Sequence, residues 1–282
     1  MNFEGSVAVV TGATSGIGAA YAEWFARTGA KLVLTGRRAE LLEQTRTRLL
    51  ELGAPDVRLI VGDLADESVA AQLETAVVET APAVLVNNAG FGHYSPLADA
   101  PPELLEAMFT VHARLPLRLC RVALQAMIPR RSGLIVNVGS LAGRVPVPGS
   151  ALYVATKAFL ERFSETLAIE AAAYGIVVQA MTPGYVRTDF HRMVDDYDTK
   201  RRNRGLIRWM SPQAVVAVSM RAAVRAFGRL SAKTAGAKAR NPVPRRRDVV
   251  VIPGAANRLL AAIAPFVPRR MIYRATTGRS PL

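Results

Sequence analysis

Tyr153 and Lys157 stand four residues apart, and Ser140 precedes Tyr153 by thirteen positions. Near the amino terminus runs Thr11-Gly12-Ala13-Thr14-Ser15-Gly16-Ile17-Gly18. Each piece alone is weak, because a Tyr-x-x-x-Lys spacing arises by chance in many helices. All three in this order and at these distances point to one chemistry, hydride transfer between a nicotinamide cofactor and a carbonyl or alcohol.

Gly12, Gly16 and Gly18 fall in the turn between a first strand and a first helix. The backbone must turn sharply there and come close to a pyrophosphate, which favours residues without a Cβ. A helix opening near Gly16 aims its free N–H groups and its dipole at that negative charge. The spacing is G-x-x-x-G-x-G rather than the commoner G-x-G-x-x-G, and an ordinary glycine-rich turn is the alternative. A strand before and a helix after favour the nucleotide site.

The elements that must hold these residues follow from pattern. Residues 6–11, 31–35, 57–61, 84–87, 134–139 and 176–182 are short apolar runs. Helical stretches separate them at 16–28, 38–52, 66–80, 102–129 with an interruption, and 153–174. Strands this apolar are buried on both faces, as in a parallel sheet covered by helices. The expected fold is α/β: a doubly wound parallel sheet, Rossmann-like, with helices on both faces and ligands beyond the carboxyl ends of the strands. We expect a dinucleotide-binding and catalytic region over 1–190, a substrate lid and helix over 191–227, and a basic insertion, last strand and amphipathic segment over 228–282. Within the last two, 190–211 reads as a lid, 212–227 as a helix, 228–247 as a flexible insertion, 248–252 as a strand and 257–273 as helical turns.

The sequence resembles the short-chain dehydrogenase/reductase family. The resemblance rests on Thr11–Gly18, Asp63, Asn87-Asn88-Ala89-Gly90, Ser140, Tyr153-x-x-x-Lys157, and Pro183-Gly184 followed by Val186 and Thr188. These run in family order over residues 5–190. The resemblance implies that Tyr153 is the general acid or base at the carbonyl oxygen. A free phenol titrates near 10, far from neutral pH. The Lys157 ammonium, one turn on and on the same face, together with an oxidised nicotinamide, would favour the phenolate. Ser140 would stabilise the developing charge on oxygen. Lys157 would also hold the ribose. Gly12, Thr14, Ser15, Gly16, Ile17 and Gly18 would line the phosphates. Asp63 would accept from the adenine amine, with Leu64 beside it. Asn88, Ala89 and Gly90 would lie along the adenosine ribose, and Pro183, Gly184, Val186 and Thr188 along the nicotinamide and its phosphates.

Two positions qualify the resemblance. Where the family carries an Asn that holds a relay water, this chain has His112, which either holds that water or merely packs in the helix. At the end of the second strand, an acid would mark NAD. Here Gly36 is followed by Arg37 and Arg38, guanidinium groups suited to a 2′-phosphate. The expected cofactor is therefore NADP(H). His93, Tyr94 and Tyr185 fall near the expected substrate mouth. The alternative to an enzyme is a cofactor-binding sensor or membrane-surface scaffold.

Half of the 282 residues are hydrophobic, yet no apolar run reaches the ~18 residues of a membrane span. No basic n-region precedes the first strand, so no signal peptide is expected. The single cysteine, Cys120, fits a reducing compartment, and the chain reads as cytoplasmic. Charge is segregated: residues 1–199 hold 17 Lys and Arg against 21 Asp and Glu, while 200–282 hold 19 against one acid, Asp248. A solvated surface and a peripheral membrane contact are the two leading explanations of the basic end. Nucleic acid ranks last, because no binding motif accompanies the arginines. The expected partner is a small carbonyl or alcohol substrate, and the family resemblance implies a second copy, in a dimer or tetramer that would put helices 102–129 and 153–174 at an interface.

Overall fold

In the computed structural model, residues 3–191, 203, 208–234 and 243–277 are described. The six apolar runs and the last strand expected over 248–252 become seven strands: β1 (Val7–Val10), β2 (Lys31–Gly36), β3 (Val57–Val61), β4 (Val84–Asn87), β5 (Gly133–Val138), β6 (Ile176–Met181) and β7 (Val250–Val251). They pair in parallel in the order β3-β2-β1-β4-β5-β6-β7. Every residue of β4, β5 and β6 is buried. Helices on both faces leave no side of these strands for polar alternation, hence the continuous Val, Ile and Leu. The chain winds outward from β1 to β3, then returns to β4 and winds the other way. That reversal opens a crevice beyond the carboxyl ends of β1 and β4.

The helices are α1 (Gly16–Ala26), α2 (Ala39–Glu51), α3 (Glu67–Thr80), α4 (Pro102–Phe109), α5 (Leu115–Arg130), α6 (Ala151–Ala172), α7 (Pro212–Thr234), the single turn α8 (Arg246–Val249), α9 (Ala255–Ile263) and α10 (Arg269–Thr277). One core, with Tyr21, Phe25, Leu42, Leu49, Val216 and Met220, seats α1, α2 and α7 on one face of the sheet. The other, with Leu73, Leu119, Met127 and Leu167, seats α3, α5 and α6 on the opposite face.

A buried polar chain fixes α6 against the sheet. Asn87 and Asn137 are register partners on β4 and β5, and Asn87 Nδ2 donates to Asn137 Oδ1 at 2.8 Å. Asn137 Nδ2 donates to Ser164 Oγ on α6 at 2.9 Å. Such groups are costly to bury unless bonded, so the pairing favours one placement of the helix over its neighbours.

The expected interruption of the 102–129 helix is a π-turn, Thr110–Arg114, between α4 and α5. The amphipathic turns expected over 257–273 are α9, the 3₁₀ turn Ala264–Phe266 and α10. Several boundaries shift by one or two residues, and two differences change the reading of the carboxyl-terminal part. The last strand is only Val250–Val251, because Arg246–Val249 coils into α8 first. The helix expected to stop at 227 runs on to Thr234, so the start of the expected flexible insertion is helical. The expected lid over 190–211 falls largely on 192–202 and 204–207, and the middle of the insertion on 235–242, all outside the described residues.

Candidate active site

The turn after β1 is a cradle that a side chain would fill. Gly12 and Gly16 have φ of +65° and +59°, a left-handed backbone that favours glycine. A Cβ on Gly12 would lie 2.9 Å from Ala89 Cα, and one on Gly16 would lie 2.8 Å from Thr188 Cγ2. Side chains brace the turn from behind. Gly12 N–H donates to Thr35 Oγ1 at 3.2 Å, and Thr11 Oγ1 accepts from the N–H groups of Asn88 and Ala89, each at 2.9 Å. Asn88 Nδ2 donates to the carbonyls of Thr11 and Gly12. Ser15, the N-cap of α1, makes no side-chain cap bond, so its hydroxyl leaves the first amides of that helix to another acceptor.

From this turn a cleft of about 530 Å³ runs across the strand ends, a volume typical of a small-molecule site. Arg37, Arg38, Asp63 and Leu64, after β2 and β3, line it toward one end, and Thr14, Ser15, Ile17, Asn88, Ala89 and Gly90, after β1 and β4, line its middle. Ser140, Tyr153, Lys157, Pro183, Gly184, Val186 and Thr188 line it toward the other. Gly18 is the exception among the expected cofactor residues. It sits beneath the turn, where a Cβ would come within 2.4 Å of Asn88 Nδ2 and closer still to Gly12 O. Its part is to let α1 pack against the turn.

The first end carries two arginines. Arg37 Nη1 lies 3.6 Å from Asp63 Oδ2, with both side chains at least half exposed, and Arg38 Nη2 lies 3.4 Å from Thr14 Oγ1. Contacts this long and exposed are weak, so both guanidinium groups can turn to an arriving anion. Asp63 also accepts from Ala65 N–H at 2.9 Å, which holds its carboxylate toward the turn after β3.

At the other end Ser140 closes β5 and Tyr153 and Lys157 rise from the first turns of α6. Lys157 is buried and donates to Val138 O at 2.9 Å, with its Nζ 5.7 Å from the centre of the Tyr153 ring. Burial pulls the ammonium down to about 8. Burial also pushes the Tyr153 phenol up, partly offset by its hydrogen bond with Ser140. The protein's own surroundings therefore disfavour both charged forms. Phe190 packs over Tyr153, ring centres 5.7 Å apart.

His112 sits in the π-turn, fully buried, with its ring 5.8 Å from that of Tyr153. Its Nε2 accepts from Phe91 N–H at 3.0 Å, which leaves the proton on Nδ1, 3.3 Å from Thr156 Oγ1. Thr156 Oγ1 in turn donates to Tyr153 O at 3.0 Å. Both ring nitrogens therefore bond protein groups, and through them the ring ties the Gly90–Phe91 loop to the first turn of α6. Burial, with a smaller push from Lys157, holds its pKa well below the usual histidine value.

His93, Tyr94 and Tyr185 lie off the cleft lining. His93 Nε2 bonds Ser95 Oγ at 2.8 Å, Tyr94 packs on Gly149, and Tyr185 packs on Trp209. Phe91, Val111, Val138, Gly139 and Phe190 line the cleft without having been singled out from sequence. Val138 and Gly139 precede Ser140 directly, and that adjacency was the available signal.

The family model described as short chain dehydrogenase matches residues 6–198. This chain belongs to the short-chain dehydrogenase family. Among curated relatives, it is 35% identical over 188 residues to the Bos taurus very-long-chain 3-oxoacyl-CoA reductase, covering 65% of this chain and 60% of that one. It is 36% identical over 197 residues to the 3-oxoacyl-(acyl-carrier-protein) reductase of Escherichia coli strain K12, covering 70% and 80%. The chain spans 60–62% of the length of the very-long-chain reductases first matched. Among solved structures, a short-chain dehydrogenase from Sphingobium yanoikuyae in complex with NADPH superposes with a TM-score of 0.75 at 30% identity, covering 93% of each chain.

Proposed function

We propose that this short-chain dehydrogenase is an NADP(H)-dependent oxidoreductase that reduces a ketone or aldehyde, or runs the reverse, with Tyr153 as general acid and base. The observation that carries the reading is one cleft with Arg37 and Arg38 at one end and Ser140, Tyr153 and Lys157 at the other. The glycine cradle fits a dinucleotide pyrophosphate, and the missing acid after β2 with two guanidinium groups in its place favours a 2′-phosphate. NADPH or NADP is named for several structural relatives, which supports the same cofactor.

When bound, the reduced nicotinamide supplies the hydride that reaches the carbonyl carbon. Ser140 Oγ holds the carbonyl oxygen and eases its growing negative charge. The Tyr153 hydroxyl gives its proton to that oxygen, leaving a phenolate that the Lys157 ammonium stabilises. Lys157, anchored on Val138 O, also presents its remaining N–H groups to the ribose. Phe190 and Phe91 keep water from the reacting end. Oxidation of an alcohol uses the same groups in reverse.

Residues 1–190 form the dinucleotide-binding and catalytic body in this reading, 191–227 the lid and its helix, and 228–282 a basic extension. The reductases among its relatives favour catalysis over a sensor role. The protein would act in the cytoplasm as a dimer or tetramer. The test pairs a fluorescence titration with NADPH and NADH against a carbonyl panel, for wild type and Tyr153→Phe. Tight NADPH binding by both, with turnover at least about a hundredfold lower in the variant, is expected. Unchanged turnover in Tyr153→Phe would overturn the assignment.

A further inference from the structure

Helices α9 and α10 leave the body with an apolar stripe facing outward. Along α9 and the turn after it, Leu259, Ile263 and Phe266 recur at helical spacing and are exposed, Phe266 at 85%. Met271 on α10 adds to the stripe at 61% exposure. A monomeric soluble protein seldom leaves so many large apolar side chains adjacent and bare. Arg258, Arg270 and Arg274 stand exposed among them. No Asp or Glu follows Asp248 in the chain. Asp248 itself is buried and gripped by Arg229, with Arg225 nearby, so it cannot offset this face.

Basic residues nearer the body do meet acids. Arg246 pairs with Glu165 at 3.0 Å, and Arg144 forms a two-point pair with Glu161. The outward helix pair itself carries Arg258, Arg269, Arg270 and Arg274 and no acid. We propose that α9 and α10 form a docking face for an anionic lipid bilayer, the apolar stripe entering the acyl boundary and the arginines meeting phosphate headgroups.

Charge decides between the possible occupants. A second copy seated two-fold on this face would set the arginines against their own equivalents, with no acid in either copy's α9 or α10 to separate them. A nucleic acid would satisfy the arginines, but its phosphates offer nothing to Phe266, Ile263 and Met271. An anionic bilayer satisfies both sets at once.

The placement gives docking a consequence. Asn257, on the inner side of α9, donates to Pro253 O at 2.8 Å and fills the space in front of Gly184, where a Cβ would meet its Oδ1 at 2.6 Å. A cavity of about 310 Å³ separates the helix pair from the segment that follows Ser140, with Gly143 and Pro146 on one wall and Ala261, Pro265 and Val267 on the other. Docking thus brings the Ser140 end of the cleft toward the membrane, where an apolar carbonyl compound partitions; this consequence alone rests on the hydride-transfer reading.

The test is co-sedimentation of the full chain with vesicles of phosphatidylcholine alone or mixed with phosphatidylglycerol, at low and at physiological salt. Wild type is expected to bind only the anionic vesicles, more weakly as salt rises. Phe266→Asp and the double variant Arg258→Gln, Arg270→Gln should each lose about tenfold in partition while NADPH binding stays unchanged. A cooperative urea melt like that of wild type reports that the variants are folded, and no step of the assay depends on turnover. Failure to bind anionic vesicles, equal binding to neutral ones, or wild-type binding by Phe266→Asp would each overturn the proposal. So would a dimer, seen by sedimentation velocity, that Phe266→Asp dissolves.

Discussion

Around Tyr153, burial rather than local charge sets protonation, and pH is the probe for it. His112 stays neutral in the fold, its pKa held well below the ordinary 6.5. In the unfolded chain it takes a proton below about 6.5. The unfolded state then binds more protons, so stability is full above that pH and drops as pH falls through it. We predict that wild type loses unfolding free energy about 1.4 kcal/mol faster per pH unit than His112→Asn below pH ~6.5. Urea melts at several pH values measure this, and parallel curves would show that His112 titrates normally. Lys157 supplies the opposite limb. With its ammonium near 8, kcat/KM for reduction should fall about tenfold per pH unit above that value. A flat profile through about pH 10 would mean that the charged lysine is not required. The bonds of His112 could not be read from the sequence: its partners Phe91 and Thr156 are 21 and 44 residues away, and nothing local marks them.

Elements were legible where one physical cause dominates. Strands buried on both faces are apolar along most of their length, so β4, β5 and β6 stood out by composition, as did the mostly buried β1 and β2; the edge strand β3, with Arg58 exposed, was legible only as a short apolar run. The glycine turn was legible because each glycine answers to a different backbone demand. The end of the helix after the lid was not, because Ala, Lys and Arg around Gly228 look like a flexible basic stretch yet are good helix formers. The core contacts of Met220, Ala223, Ala226 and Leu230 carry α7 through that glycine. These two kinds of glycine make a paired prediction. At Gly228 a Cβ meets nothing within 4 Å, so Gly228→Ala should raise stability by about 0.5–1 kcal/mol. At Gly18 the same methyl collides with the Gly12 carbonyl, so Gly18→Ala should cost about 2–3 kcal/mol and weaken NADPH binding at least tenfold. Urea melts with NADPH titrations decide it, and equal effects at the two sites would refute the distinction.

At the scale of the molecule, the exposed apolar surface divides into faces of different electrical character. Besides the basic face of α9 and α10, a second one crosses α5 and α6, where Leu117, Phe159 and Ile169 are exposed and Phe159 stacks on Phe163 at 5.6 Å. Here Arg114 and Arg118 already have acidic partners. Arg118 lies 2.7 Å from Glu67 and also meets Glu74, and Arg114 lies 3.7 Å from Glu67. A two-fold copy brought onto this face meets apolar side chains and internally neutralised pairs, so self-association costs little electrostatically. We therefore predict that the chain pairs through α5 and α6 and leaves α9 and α10 outward. In sedimentation velocity, Phe159→Asp or Ile169→Asp should shift the protein to monomer while Phe266→Asp leaves the assembly intact. A carboxylate buried unpaired at a self-complementary contact appears twice, which is why one substitution suffices. Because the Ser140–Tyr153–Lys157 set draws its groups from a single copy, the monomeric variants should still bind NADPH with wild-type affinity. If they lose cofactor instead, α6 needs its partner to hold Tyr153 and Lys157 in place, and assembly and catalysis are one property.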